Sequence, residues 1–264
     1  MLLAIDVGNT NIVLGVFEGK KLAESWRLAT IRERTADELG ILVTHLFERS
    51  AIPLDRIGGI ILSSVVPPLT STMEEMGERF FGRTPLTVDP GSNTGMPVLY
   101  SPASDVGADR VVNAVAAYEA YGRQTQSPVI VVDFGTATTF DAISAAGEYI
   151  GGVICPGIGI SADALFQRAA RLPRVDVRKP PAVIGRTTVT SMQSGLFFGY
   201  VSMVDGIVAR MRAELASGDQ AACIATGGMA TIIAGESEAI ERVDPDLTLQ
   251  GLRLIWDRNH TKNG

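Results

Sequence analysis

Two stretches of this chain place an acidic side chain, a glycine and small polar residues at the end of an apolar run. In the first, Leu2-Leu3-Ala4-Ile5 leads into Asp6-Val7-Gly8-Asn9-Thr10-Asn11 and then Ile12-Val13. In the second, Val129-Ile130-Val131-Val132 leads into Asp133-Phe134-Gly135-Thr136-Ala137-Thr138-Thr139. A second apolar segment follows each turn, which is the signature of a β-hairpin. The chemistry such a turn can do is specific. Glycine lets the backbone approach a phosphate closely, Thr and Asn supply donors, and Asp can hold a hydrated cation. One Asp-x-Gly after a strand is commonly an ordinary turn. Two copies after equally apolar strands point to a duplicated fold with two phosphate-binding turns.

The commoner nucleotide motifs are absent. No Gly-x-x-x-x-Gly-Lys-Ser/Thr occurs, and Gly157-Ile158-Gly159 fails to complete a Gly-x-Gly-x-x-Gly pattern because Ala162 stands at the last position. A third chemical cluster is Gly107-Ala108-Asp109-Arg110, just before the apolar helical spacing of Val111, Ala114, Val115 and Ala117. A carboxylate in the first turn of a helix complements the helix dipole, whereas a cation there opposes it. Arg110 is therefore the residue that asks for a function. Thr226-Gly227-Gly228, after an apolar run that includes Cys223, leaves room for a flat group such as adenine against bare backbone.

The elements that position these residues follow from periodicity. Residues 2–5, 12–17 and 22–28 alternate or run apolar as three short strands. Thr35 caps a helix with Glu38 closing a capping box, and Leu39, Leu42, Val43, Leu46 and Phe47 recur at helical spacing. His45 falls off that stripe and is expected in solvent. A buried strand over 59–66 is expected to stop at Pro67-Pro68, with a helix over 69–81 and a short strand at 86–88. Residues 92–101 form a loop carrying Tyr100. The second half repeats strand, turn and hairpin, then a third strand over 147–155. A helix over 160–170 follows, in which Ala164, Leu165 and Ala169 are available for packing. After an exposed, proline-punctuated connection over 173–184, a long helix runs from about 189 to 215. Its Met192, Leu196, Tyr200, Met203, Ile207 and Met211 form a stripe suited to core or to a subunit contact. A last helix spans 247–257, and a polar tail follows in which His260 is uninvolved. Strands and helices in this order make an α/β protein.

Composition sets the bounds. The 264 residues, 46% hydrophobic with 28 glycines, suit a compact α/β chain with many tight turns. A net charge of −6 without a dense Lys/Arg cluster argues against a nucleic-acid surface. No apolar run approaches the roughly 20 residues of a membrane span, and the N-terminus lacks a signal-peptide pattern. Cys155 and Cys223, the two cysteines, have neither metal nor disulfide spacing and are expected as small core residues. A cytoplasmic protein is expected.

The motifs quoted above occur in an order that resembles type III pantothenate kinases, and Met192-Gln193-Ser194-Gly195 and Ala170-Arg171-Leu172-Pro173 are also similar to that family. The matches run from residue 1 to about 255. The resemblance implies the acetate-and-sugar-kinase, heat-shock ATPase and actin superfamily. That superfamily has duplicated ribonuclease-H-like (actin-like ATPase) domains with mixed five-stranded sheets flanked by helices, expected here at 1–122 and 123–264. It implies ATP-dependent phosphorylation of pantothenate, the first step of coenzyme A biosynthesis, by a homodimer with the pantothenate pocket near the subunit interface. Carried over by position, Asp6, Val7, Gly8, Asn9, Thr10, Asn11, Ile12 and Val13 resemble the first ATP phosphate segment, with Asp6 near Mg2+ through water. Asp109 matches the general base. Gly107, Ala108, Asp109 and Arg110, together with Tyr100 and Thr188, match pantothenate contacts. Asp133 matches a monovalent-cation ligand for K+ or NH4+, and Thr136, Gly227 and Gly228 match ATP contacts. Gly185-Arg186-Thr187-Thr188 departs from the Gly-Lys-Asn-Thr common in the family but keeps Thr188. Arg110 could meet either the pantothenate carboxylate or the transferring phosphate. A sugar or acetate kinase of the same fold and a non-catalytic nucleotide-binding regulator are the alternatives.

Overall fold

The computed structural model describes residues 1–89 and 92–260, so the end of the polar tail lies outside the described residues. The chain forms two compact units. One comprises residues 1–96, 100–116 and Leu247 onward, and the other comprises residues 97–99 and 117–246.

In unit one, β1 (Leu2–Val7), β2 (Asn11–Glu18) and β3 (Lys21–Ala29) form an antiparallel meander. Helix α1 (Ala36–Arg49) carries the expected Thr35–Glu38 capping box, and β4 (Gly59–Ser64) returns parallel to β1. Pro67-Pro68 opens the next helix, α2 (Pro67–Phe81), rather than merely stopping the strand. The missing N–H of proline costs nothing in a first helical turn, where that donor would have no partner. Strand β5 (Leu86–Thr87) completes a sheet ordered β3-β2-β1-β4-β5. Leu3, Ile5, Val7, Ile12, Leu14 and Val16 on one face pack with Leu39, Val43, Phe47, Leu69 and Met73 of α1 and α2. At about 25 cal/mol per Å2 of apolar surface removed from water, that face is the main stabiliser of the unit. Leu42 stays partly exposed and His45 lies in solvent. Helix α3 (Ala108–Ala117) starts earlier than the apolar spacing alone suggests, so Asp109 and Arg110 lie within its first turn.

Unit two repeats the plan. Strands β6 (Val129–Phe134), β7 (Ala137–Ile143) and β8 (Tyr149–Pro156) form the meander. Helices α4 (Ile158–Arg168) and α5 (Thr188–Glu214) precede β9 (Ala222–Gly227), which pairs parallel to β6. Helix α6 (Ala230–Ala234) and β10 (Arg242–Val243) follow. The order is β8-β7-β6-β9-β10, so each strand holds the place of its counterpart five strands earlier. Ile130, Val132, Phe134 and Phe140 pack against Phe197, Tyr200, Val201, Val204 and Val208 of α5. Met203, Ile207 and Met211 also rest on this core, which assigns most of the methionine stripe to the unit's own interior. Leu165 does not pack as expected: it is 40% exposed, and Ile158 is the buried residue of α4. Cys223 is buried and its thiol is pushed up to about 12 by that burial, whereas Cys155 is only partly covered.

The last helix, α7 (Leu247–His260), corrects the expected boundary that gave residues 123–264 to one domain. It packs on β1, β2 and β4. The ring of Trp256 covers Gly59 so closely that a Cβ there would stand 2.1 Å from it, and Thr248 donates to Asn113 of α3 at 2.7 Å. An apolar face with no neighbour in the preceding sequence recruited a helix from the far end of the chain.

Candidate active site

Both Asp-x-Gly stretches lie at the ends of their strands, in equivalent places. Asp6 pairs with Val13 on one side and Ser63 on the other, and Asp133 pairs with Thr139 and Thr226. Register partners on parallel strands project to the same face. Each carboxylate is therefore flanked by a buried hydroxyl residue, Ser63 at 0% and Thr226 at 3% exposure. Ser63 was not singled out from the sequence. The only signal for it was the Ser63-Ser64 pair closing an otherwise apolar strand, in the place that Thr226-Gly227 holds in the second half. The Ser63 Oγ has no hydrogen-bond partner among the described residues.

The first turn is held by hydrogen bonds within itself and to Thr30. The Gly8 N–H donates to Asn11 O at 2.9 Å, the Thr30 hydroxyl donates to Gly8 O at 2.7 Å, and the Thr30 N–H donates to Thr10 O at 3.0 Å. Asn9 and Thr10 are exposed at the tip, and Arg32 donates to Asn9 Oδ1 at 3.3 Å. Ile12 is buried and Val13 half-buried on β2.

The second turn, with Gly135 and Thr136 exposed, is held by backbone approach. A Cβ on Gly157 would stand 2.1 Å from Thr136 O. One on Gly227 would stand 2.5 Å from Asp133 Oδ1 and 2.7 Å from the Phe134 backbone. Gly227 also has φ +92, a conformation open to glycine at little cost. Gly228 follows in an exposed turn.

Asp109 belongs to unit one, at the same sheet end as Asp6. A Cβ on Gly107 would stand 2.5 Å from Asp109 Oδ1 and 3.7 Å from Val65, whose N–H donates to Val7 O at 3.0 Å. Burial pushes the Asp109 carboxyl above the ordinary carboxylate range, while the Arg110 N–H, at 2.8 Å from Oδ1, and the Arg110 charge pull it back. A carboxylate held this way is a stronger base than one in water. Arg110 is buried at 8% exposure, and Ala108 opens the helix beside it. Tyr100 is exposed in the preceding loop of unit one.

Thr188 belongs to unit two. Thr187 caps α5, its hydroxyl accepting from the Thr190 N–H at 3.1 Å, so Thr188 sits exposed in the first turn. It lines an open groove of about 1290 Å3 together with Arg168, Arg186, Ser191, Leu165 and Tyr200. Tyr200 is held in place by donating to Pro156 O at 2.7 Å and meeting Ser161 Oγ at 2.6 Å.

Unit one thus gathers Asp6, the first turn, Asp109, Arg110 and Tyr100. Unit two gathers Asp133, Thr136, Gly227, Gly228 and Thr188. The type III pantothenate kinase family model matches residues 2–210. The chain belongs to the type III pantothenate kinase family. It is 58% identical over 260 residues to the type III pantothenate kinase of Myxococcus xanthus, covering 98% of this chain and 99% of that one. It is 55% identical to that of Geobacter sulfurreducens, with 98% and 99% covered. Among solved structures, a Baf family protein from Campylobacter jejuni aligns with TM-score 0.61 at 19% identity, over 98% of this chain and 99% of that one. Component A of the (R)-2-hydroxyglutaryl-CoA dehydratase of Acidaminococcus fermentans aligns with TM-score 0.53 at 14% identity, over 96% and 95%. These two likenesses concern the fold alone. It is the α/β fold with two mixed five-stranded sheets expected of a type III pantothenate kinase. Among the described residues, no helix is long and apolar enough to cross a membrane.

Proposed function

We propose that this chain transfers the γ-phosphoryl group of ATP to the primary hydroxyl of pantothenate, with Asp109 as general base. The observation that carries the reading is Asp109 itself. It is a half-buried carboxyl, raised by desolvation, in the Gly-Ala-Asp-Arg element of a chain more than half identical to named type III pantothenate kinases. Phosphoryl transfer needs positioning and charge neutralisation more than covalent help from the protein. Asp109 takes the proton of the hydroxyl as that oxygen approaches phosphorus. Residues 6–13 hold the phosphates through backbone and small side chains, Thr136 adds a second phosphate contact, and Gly227 and Gly228 leave space for the adenosine. Tyr100, residues 107–110 and Thr188 contact pantothenate. Arg110, whose fork matches a carboxylate or a phosphate, anchors one of the two.

The donor sets fit hard cations. Asp6 lies beside the unsatisfied Ser63 hydroxyl, and Asp133 lies beside Thr226; carboxylate and hydroxyl oxygens suit Mg2+ and K+ or NH4+ respectively. Bound there, Mg2+ through water at Asp6 and a monovalent ion at Asp133 would offset charge on the triphosphate. The exposed Ile160, Leu165, Phe166, Val183, Ile184 and Val189 of unit two support a homodimer, since a second copy would remove them from water.

The test is ADP release from protein, Mg-ATP, K+ and pantothenate. Pantothenate-dependent ADP is expected, and its absence overturns the reading. Asp109→Asn should lower kcat about 10²–10⁴-fold with ATP affinity kept; near-normal turnover would remove Asp109 from the base role. Because the carboxyl is raised, kcat/KM should fall as pH drops through a value above the ordinary Asp range. The folded state binds this proton more tightly than the unfolded chain does. The associated stability is therefore present at low pH and lost as pH rises through the folded value. Asp109→Asn should accordingly raise Tm at neutral pH while lowering turnover by that factor. Sodium in place of potassium tests Asp133.

A further inference from the structure

Residues 6–13 contain a carboxylate but no lysine or arginine, although the proposed ligand of this segment is a highly charged triphosphate. A cation nevertheless stands at the turn. Arg32, in the loop after β3, donates Nη2 to Asn9 Oδ1 at 3.3 Å and forms no ion pair among the described residues. Several other exposed arginines are already held by carboxylates. Arg56 pairs with Glu18, Arg79 with Asp37 and Glu75, Arg123 with Glu119, and Arg174 with Asp163. The loop bearing Arg32 is also tied to the turn itself. Both hydrogen bonds of Thr30, to Gly8 O and Thr10 O, cross from the residue just after β3 to the proposed phosphate loop. The chain therefore holds the Arg32 backbone beside the turn while leaving its guanidinium on a long contact to a neutral amide.

We propose that Arg32 is a further phosphate-binding residue of this site, exchanging the Asn9 amide oxygen for a non-bridging oxygen of the β- or γ-phosphate. The inference rests on the proposed reading that residues 6–13 bind the triphosphate. The exchange is favourable because a guanidinium hydrogen bond to an anionic oxygen is shorter and stronger than one to an amide, and the fork geometry can engage two phosphate oxygens. Thr30 makes it less costly in entropy, since the loop is already in place when the nucleotide arrives. Arg32 thus supplies from the loop after β3 the positive charge that the turn's own sequence omits.

Calorimetric titration of the full chain with Mg-ATP, Mg-ADP and AMP, without pantothenate, tests this. Arg32→Ala should weaken Mg-ATP by about tenfold or more, the loss of one charge-assisted contact. AMP should bind within about twofold of the parent, since its one phosphate does not reach the contact. Arg32→Lys should recover part of the loss, and the gap between parent and Arg32→Ala should narrow as salt rises. Loss of both ATP and ADP affinity assigns the contact to the β-phosphate, and loss of ATP alone assigns it to the γ-phosphate. Unchanged Mg-ATP affinity in Arg32→Ala, or an equal loss for AMP, overturns the proposal. A parent protein that fails to bind Mg-ATP instead overturns the reading of the site itself.

Discussion

The two strand-end turns start from nearly the same sequence and are made rigid in different ways. Four residues, 8–11, separate the last register pair of β1 and β2, whereas three, 135–137, separate that of β6 and β7. The longer first turn is braced from outside by Thr30 and Arg32, which are polar and exchangeable. The shorter second turn is boxed in by the backbone at Gly157 and Gly227, where not even a methyl group fits. The first turn therefore depends in part on side chains. The second has almost no freedom, because its walls are main chain. The two halves share the strand order and the carboxylate and differ in the bracing.

That contrast can be broken at several points. The largest effect is expected at the second turn. Gly157→Ala forces a methyl group into Thr136 O and should cost about 1–3 kcal/mol, as overpacking does. Gly227→Ala adds the strain of its positive φ to a similar clash. Chemical denaturation measures both, and a loss below about 0.5 kcal/mol, the size of an ordinary surface change, would refute the steric account. An intermediate effect is expected at the first turn. Thr30→Val removes one hydrogen bond to Gly8 O, worth about 1 kcal/mol net. The global cost should be correspondingly small and the KM for ATP should rise. If Tm falls as far as in Gly157→Ala, the two turns are braced with equal rigidity and the contrast fails. The smallest effect on stability is expected for Gly135→Ala. Its Cβ would find only Ala137 O at 3.6 Å and Asp133 Oδ1 at 3.7 Å, ordinary contacts, so stability should stay within about 0.5 kcal/mol. If the glycine is there for a phosphate, the variant should fold normally and still bind Mg-ATP more weakly. Unchanged binding would reduce Gly135 to a plain hairpin residue.

Local order in the sequence was enough to identify much of this molecule. The apolar runs before Asp6 and Asp133, the hairpins after them, the Thr35 capping box and the helical spacing after Asp109 all fold as their neighbours dictate. The same holds for the turns and the first helical turn that carry the quoted motifs, because each needs only adjacent residues. The helix ends shifted by a few positions, as at Pro67 and Ala108, where a first turn carries few apolar residues to mark it.

Long-range contact decided the rest, and periodicity carries no record of which distant surface an element will cover. The seating of α7 on β1 and β4 depended on Gly59 making room for Trp256, 197 residues later in the chain. Ser63 became Asp6's neighbour only when β4 returned parallel to β1, and Arg32 reached Asn9 only when β3 completed the meander. The enclosure of Thr136 by Gly157 and of Asp133 by Gly227 likewise needed the folded sheet. The sequence by itself determined the duplicated strands, the two turns and the Gly-Ala-Asp-Arg element, through interactions spanning a few residues. The tertiary structure alone decided which hydroxyls, cations and glycines surround them, because those neighbours meet only after the chain has closed loops of tens to hundreds of residues.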